Sequence, residues 1–289
     1  MTEPASTAGN AVITGATGGI GRWIALGLLD AGYRVFVIGR NPAGLDAMRV
    51  WAEGRSPGCA ARIEPVLADL SLLSDTTAAA RTILSRTDGI ALLVNNAGTL
   101  SARRVVTDEG HELTLAVNHL APFVLTRHLL PALRQVGKAR IVDVGSSTSD
   151  HARIDPDNLE LTRRWRMVRA YSQSKLALMM TSFNLAQQLQ GSGITVNVVH
   201  PGTVATGLVR SRGIVGLAWR LMAPFLLSEA QGADTPLHAA LSPACEGLSG
   251  AYIKQRRPAR PNPRVLDHAL CARVLAATEA LATDYLPHA

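Results

Sequence analysis

Short β-branched runs alternate with amphipathic stretches from residue 11 to residue 199, and that alternation leaves few folds open. Continuously apolar strands need cover on both faces, and each return to a parallel neighbour needs a crossover, usually a helix. The pattern predicts an α/β fold: one doubly wound parallel sheet of about seven strands with helices on both faces. Strands are expected at 11–14, 34–39, 62–68, 91–95, 140–144 and 195–199, with a seventh near Tyr252 and Ile253. The 289 residues are 47% apolar and carry no repeat, low-complexity tract or dividing linker, so 1–289 reads as a single domain.

The first crossover carries the sharpest local signal. Ala11-Val12-Ile13 runs into Thr14-Gly15-Ala16-Thr17-Gly18-Gly19-Ile20-Gly21 and then a helical stretch from Arg22 to Ala31: strand, glycine-rich turn, helix. Gly15 allows the tight turn, Gly19 a close approach of backbone to a pyrophosphate, and Gly21 close packing of helix on strand, with the anion at the helix N-terminus. Thr17, Gly18 and Ile20 complete a turn expected to face that ligand. The domain is therefore read as a Rossmann-type, NAD(P)-binding unit. The second strand ends at Gly39, where an NAD site carries an acid for the ribose 2′-hydroxyl. Here Arg40 follows, and a guanidinium pairs a 2′-phosphate. NADP(H) is the expected cofactor, with NAD(H) second.

Tyr171 and Lys175 stand four residues apart, which on a helix places a phenol and an ammonium on one face. A phenol titrates near pH ~10, so acid/base work near neutrality needs its phenolate favoured by about 4 kcal/mol. Burial pushes the wrong way, so positive charge must supply the difference. Lys175 offers one charge, and an oxidised nicotinamide ring offers another.

The remaining composition mainly excludes. Cys59, Cys245 and Cys271 are odd in number and far apart, so neither a disulfide framework nor a metal site is expected, which suits a reducing cytoplasm. Residues 1–9 read as a flexible N-terminus with no signal peptide. The most apolar stretch, Ile214 to Leu227, is interrupted by Arg220 and Pro224 and is too short to span a bilayer, so stable membrane insertion is not expected. Net charge is +7, yet the basic segment 254–264 is broken by Pro258, Pro261 and Pro263 into a surface loop without aromatic interleaving, so no nucleic-acid partner is expected. Arg163, Arg164, Arg166 and Arg169 around Trp165 read as a solvated helix face, and His151 and His200 as loop packing and backbone bonding.

Taken together these residues resemble the short-chain dehydrogenase/reductase family over nearly the whole chain. The turn Thr14 to Gly21 is similar to the family's Thr-Gly-x-x-x-Gly-x-Gly, and Asn95-Asn96-Ala97-Gly98 to its strand-end signature. Within the family the chain looks most like the retinol dehydrogenase and protochlorophyllide reductase-like branch, through its long segment before Tyr171. It departs from that branch at Asp143 and Gly145, and Gly18 lacks the basic side chain many NADP users carry there.

The resemblance implies the site. Asp69 with Leu70 would contact the adenine side of the cofactor, Asn96, Ala97 and Gly98 its middle, and Pro201, Gly202, Thr203, Val204 and Thr206 its nicotinamide end. Asn118, Ser147, Tyr171 and Lys175 fall where the family keeps its catalytic tetrad, although Ser146 competes with Ser147. In the implied reaction Ser147 bonds the substrate carbonyl, Tyr171 delivers the proton, and Lys175 lowers the tyrosine pKa and holds the ribose. Asn118 positions a water between Lys175 and solvent. Segment 207–230 would be the substrate lid, whose Leu208, Ile214, Leu217, Trp219, Leu221 and Phe225 suit a lipophilic carbonyl or alcohol. Helices around 108–134 and 171–190 would join a homodimer or homotetramer. Two other readings stand beside the oxidoreductase: a catalytically silent dinucleotide sensor or scaffold, and an epimerase or dehydratase of the same fold.

Overall fold

The computed structural model describes residues 8–204 and 227–287. The chain begins with β1 (Asn10–Thr14), α1 (Gly19–Asp30), β2 (Arg34–Gly39), α2 (Pro42–Glu53), β3 (Ile63–Leu67), α3 (Leu73–Leu84) and β4 (Leu92–Asn95). One helical turn, α4 (Leu113–Leu115), passes through a π-helical turn (Ala116–Leu120) into α5 (Ala121–Gln135). There follow β5 (Ala139–Val144), α6 (Met167–Gln188), β6 (Ile194–His200), α7 (Glu229–Leu241), β7 (Tyr252–Lys254), β8 (Arg257–Ala259) and α8 (His268–Ala282).

The strands form one sheet in the order β3-β2-β1-β4-β5-β6-β7-β8. Every pairing is parallel except β7 with β8. Strand pleating sorts the side chains between two cores. Ala11, Ile13, Val35 and Val37 pack with α1, α2 and α7, whereas Val12, Phe36, Ile38 and Leu93 pack with α3, α5 and α6. Both faces are dry, which is why the strands read as unbroken apolar runs. The chain reverses direction across the sheet between β1 and β4, so a crevice opens at their carboxyl ends.

Three expectations change. Eight strands are present among the described residues rather than about seven, because Arg257–Ala259 of the basic loop adds an antiparallel edge strand. Pro258 sits there because an edge strand can leave one side without a donor. Arg163, Arg164 and Arg166 precede α6 on a loop, with Arg164 at φ 57°, and only Arg169 of that cluster lies on the helix. Of the N-terminal stretch 1–9, residues 8 and 9 are tied down: Ala8 N–H donates to the Gly32 carbonyl, and the Gly9 carbonyl accepts from Arg34.

The C-terminal helix α8 packs on α6 through Val274, Cys271 and Leu270, and its end reaches α5. His119 Nε2 meets Thr278 Oγ1 at 2.8 Å, Arg127 pairs with Glu279 at 3.3 Å, and His128 Nε2 donates to the Tyr285 carbonyl at 2.8 Å.

Candidate active site

The glycine-rich turn is shaped by what surrounds it. Gly15 has φ 68°, and a Cβ there would lie 2.8 Å from Ala97 Cα; a Cβ on Gly21 would lie 2.2 Å from the Gly15 carbonyl oxygen. Neither position admits a side chain. The buried Thr14 hydroxyl accepts from Asn96 N–H at 3.0 Å and Ala97 N–H at 2.9 Å, while Asn96 Nδ2 donates to the Thr14 carbonyl at 2.9 Å. The first and fourth strand ends are thereby locked together. A Cβ at Gly18 would meet nothing within 4 Å, so space is open over the turn.

That geometry fits a dinucleotide. The N-terminus of α1 has no side-chain cap and no acid in its first turn, so its N–H groups and dipole are left for an anion. At the end of β2 Gly39 is closed in by Thr17 and Leu45, and Arg40 is exposed. Asp69 Oδ1 accepts from Ser71 N–H at 2.9 Å, and Leu70 is half-buried beside it. Gly202 has φ 90°, and Val204 is buried in a bridge with Leu227, whose N–H donates to the Thr203 carbonyl. Pro201 precedes them at the end of β6. Thr206 and residues 207–226 of the expected lid lie outside the described residues.

Tyr171 and Lys175 lie on α6, as their spacing predicts. Lys175 is 3% exposed, and its Nζ donates to the Val144 carbonyl at 2.7 Å. A Cβ on Gly98 would sit 3.6 Å from that Nζ and 3.5 Å from Asn118 Oδ1, so the lysine, the asparagine and the strand-end signature converge. Ser146, rather than Ser147, is the serine whose side chain acts on the Tyr171 phenol. Ser147 begins a 3-10 turn, and its N–H donates to His200 Nδ1 at 3.3 Å. A one-residue step in an extended segment turns the side chain to the opposite face. Asn118 is fully buried in the π-helical turn, the kind of break often found at functional sites. Its Oδ1 accepts from Thr99 N–H at 2.7 Å, and its Nδ2 donates to the Thr99 carbonyl and to Ser174 Oγ. The amide is occupied by protein partners, so it positions the loop after β4.

Burial dominates the electrostatics. It lowers Lys175 to about 8, with Asp143 pulling the other way. It raises the Tyr171 phenol above its ordinary range, and Ser146 offsets only part of this. His119, beside Asn118, is lowered to about 3 by burial and by Lys175. His200 is lowered to about 4 by burial first and then by Lys254, with Asp150 opposing. Asp150 holds both Tyr252 and Lys254. Asp143 and His119 were not read as site residues. Their signal was a lone carboxyl in the apolar run Ile141-Val142-Asp143-Val144 and an imidazole adjoining Asn118.

No group of residues suited to a metal ion, and no helix long and apolar enough to cross a membrane, occurs among the described residues. Residues 9–213 match the short chain dehydrogenase family. The chain is 36% identical over 270 residues to retinol dehydrogenase 12 of Homo sapiens, covering 91% of this chain and 83% of that one. It superposes on an uncharacterized protein from Mycobacterium Paratuberculosis with TM-score 0.77 and 27% identity, over 99% of this chain and 97% of the other. It is also similar to RhlG of Pseudomonas aeruginosa in complex with NADP, with TM-score 0.69 and 26% identity, over 86% and 95% of the chains. With the glycine turn, the strand-end signature and the buried lysine gathered at the carboxyl ends of the strands, the chain belongs to the short-chain dehydrogenase/reductase family, in its retinol dehydrogenase-like branch, and is an oxidoreductase using a nicotinamide dinucleotide.

Proposed function

We propose that this protein interconverts a lipophilic carbonyl and its alcohol with NADP(H), Tyr171 carrying the proton. The observation that bears most weight is Tyr171 and Lys175 on one face of α6, with Lys175 anchored on the Val144 carbonyl, at the same carboxyl ends of the strands as the uncapped α1 turn. The reduced nicotinamide, when bound, supplies a hydride to the carbonyl carbon.

The chain's own residues handle the oxygen. Ser146 Oγ–H orients the carbonyl oxygen and stabilises its developing charge. Tyr171, kept protonated by burial, gives its proton to that oxygen as a general acid. Lys175 then faces the phenolate as a fixed cation. In the oxidative direction the phenolate takes the alcohol proton back. Asn118 keeps the Thr99 loop and α6 in register through Thr99 and Ser174.

Two features support the finer reading. Arg40 is exposed at the end of β2 with no acid adjoining it, which favours a 2′-phosphate. The similarity to retinol dehydrogenase 12 and the apolar residues of segment 207–230 favour a long apolar aldehyde or ketone. Location in the cytoplasm and assembly as a dimer or tetramer belong to the same reading. In that assembly α5 and α6 would meet a second copy where α8, which packs on both, leaves them uncovered. The test is turnover of all-trans-retinal with each reduced cofactor. A kcat/KM higher with NADPH than with NADH supports the reading; the reverse order removes the role of Arg40.

A further inference from the structure

Beneath the catalytic pair lies a carboxyl that the proposed reaction leaves unused. Asp143, next to last in β5, is 4% exposed and faces α5 and α6. Its Oδ1 accepts from Asn95 Nδ2 at 2.7 Å, and its Oδ2 lies 2.6 Å from Ser182 Oγ. Ser182 follows Lys175 by two turns of α6, so the two share a face. Lys175 reaches the carbonyl of Val144, the residue after Asp143. Helix α6 is thus held to the end of β5 at two adjoining polar points, one bearing an ammonium and the other a carboxyl.

A carboxylate this deep needs a counter-charge. From α5 the nearby cation is Arg127, which lines the same cleft but pairs with Glu279. From β4 and α5 the neighbours Asn95 and Thr126 are neutral. His119, from the π-helical turn, is also uncharged at neutral pH, and burial keeps the Tyr171 phenol protonated and neutral. Lys175 is the remaining partner among the described residues.

We propose that Asp143 is a positioning residue whose buried carboxylate keeps the Lys175 ammonium protonated beneath Tyr171. The proposal rests on the role given to Lys175 in the reaction above. Its electrostatic direction agrees: Asp143 raises Lys175 against the fall caused by burial, and Lys175, after Ser182 and Asn95, lowers Asp143 against the rise caused by burial.

Asp143→Asn separates charge from shape. The amide oxygen still accepts from Asn95, and its NH2 can donate to Ser182 Oγ, whose own proton then goes to the Leu178 carbonyl 2.6 Å away. The chain has three lysines, Lys138, Lys175 and Lys254, so NMR of the whole protein carrying 13Cε-labelled lysine gives three resolvable titrations. Asp143→Asn is expected to lower the Lys175 midpoint by about one pH unit while Lys138 and Lys254 stay in place. An unmoved Lys175 midpoint overturns the proposal. In turnover, the alkaline limb of kcat/KM moves down by the same amount, with activity on the plateau below it retained. A limb that stays put while the midpoint moves overturns the catalytic consequence. The NMR titration needs no substrate, so a wild-type protein that turns over no carbonyl would refute the proposed function and leave the midpoint to decide on Asp143.

Discussion

At the scale of single residues, side-chain direction separates chemistry from scaffold. Ser146 and Ser147 are neighbours of identical type, yet the side chain of the first acts on the Tyr171 phenol and the second presents its backbone to His200. Ser146→Ala should lower kcat by about 10²-fold, the usual cost of one donor to a developing oxyanion, with Ser147→Ala close to wild type. Steady-state kinetics decides this, and equal losses would mean that the turn, not the hydroxyl, matters. The sequence contained Tyr171 and Lys175 plainly, because helical spacing fixes which side chains share a face. It could not choose between two serines at a strand end, where the facing depends on the last extended dihedral. Asp143 was visible as a polar break in an apolar run, but its partners Asn95 and Ser182 come from distant elements.

At the scale of elements, the glycine-rich turn, the β4 end and α6 act as one assembly. Thr14 and Asn96 join the first two, and Asn118 joins the second to α6. Gly21→Ala drives a methyl against the Gly15 carbonyl, so we expect a stability loss of about 1–3 kcal/mol and NADPH affinity down about tenfold or more. Urea unfolding and cofactor titration measure both, and an unchanged affinity would mean that the turn tolerates a shift. Most strands were legible because buried parallel strands are continuously apolar. Strand β8 was not, since Pro258 and flanking arginines look like a loop and only edge pairing to β7 makes them a strand. The π-helical turn was also illegible: Ala116–Leu120 has no composition that distinguishes it from an ordinary helix.

For the whole molecule, the site's burial has a consequence for pH. His119 and His200 have folded pKa values near 3 and 4, below their ordinary value, so both are neutral when folded and gain protons on unfolding. Such groups contribute stability that is complete above about pH 6.5 and is lost as pH falls toward the folded values. Each should remove on the order of 2 kcal/mol by pH 5. Asp143 runs the other way, because burial raises it, but it is one group against two. Lys175 adds no slope there, since its folded value is about 8 and it is protonated in both states below that. Urea midpoints should therefore fall from pH 7 to pH 5; a flat profile would show that the two imidazoles reach solvent. The central claim is that a nicotinamide site and a tyrosine proton donor act together on an apolar carbonyl. The most direct test mixes NADPH and all-trans-retinal with the wild-type protein and with Tyr171→Phe, following reduced nicotinamide by absorbance and NADPH binding by fluorescence. The account predicts turnover by the wild type, a loss of about 10²-fold or more in the variant, and nearly equal NADPH affinity in both. Turnover retained by Tyr171→Phe would contradict it.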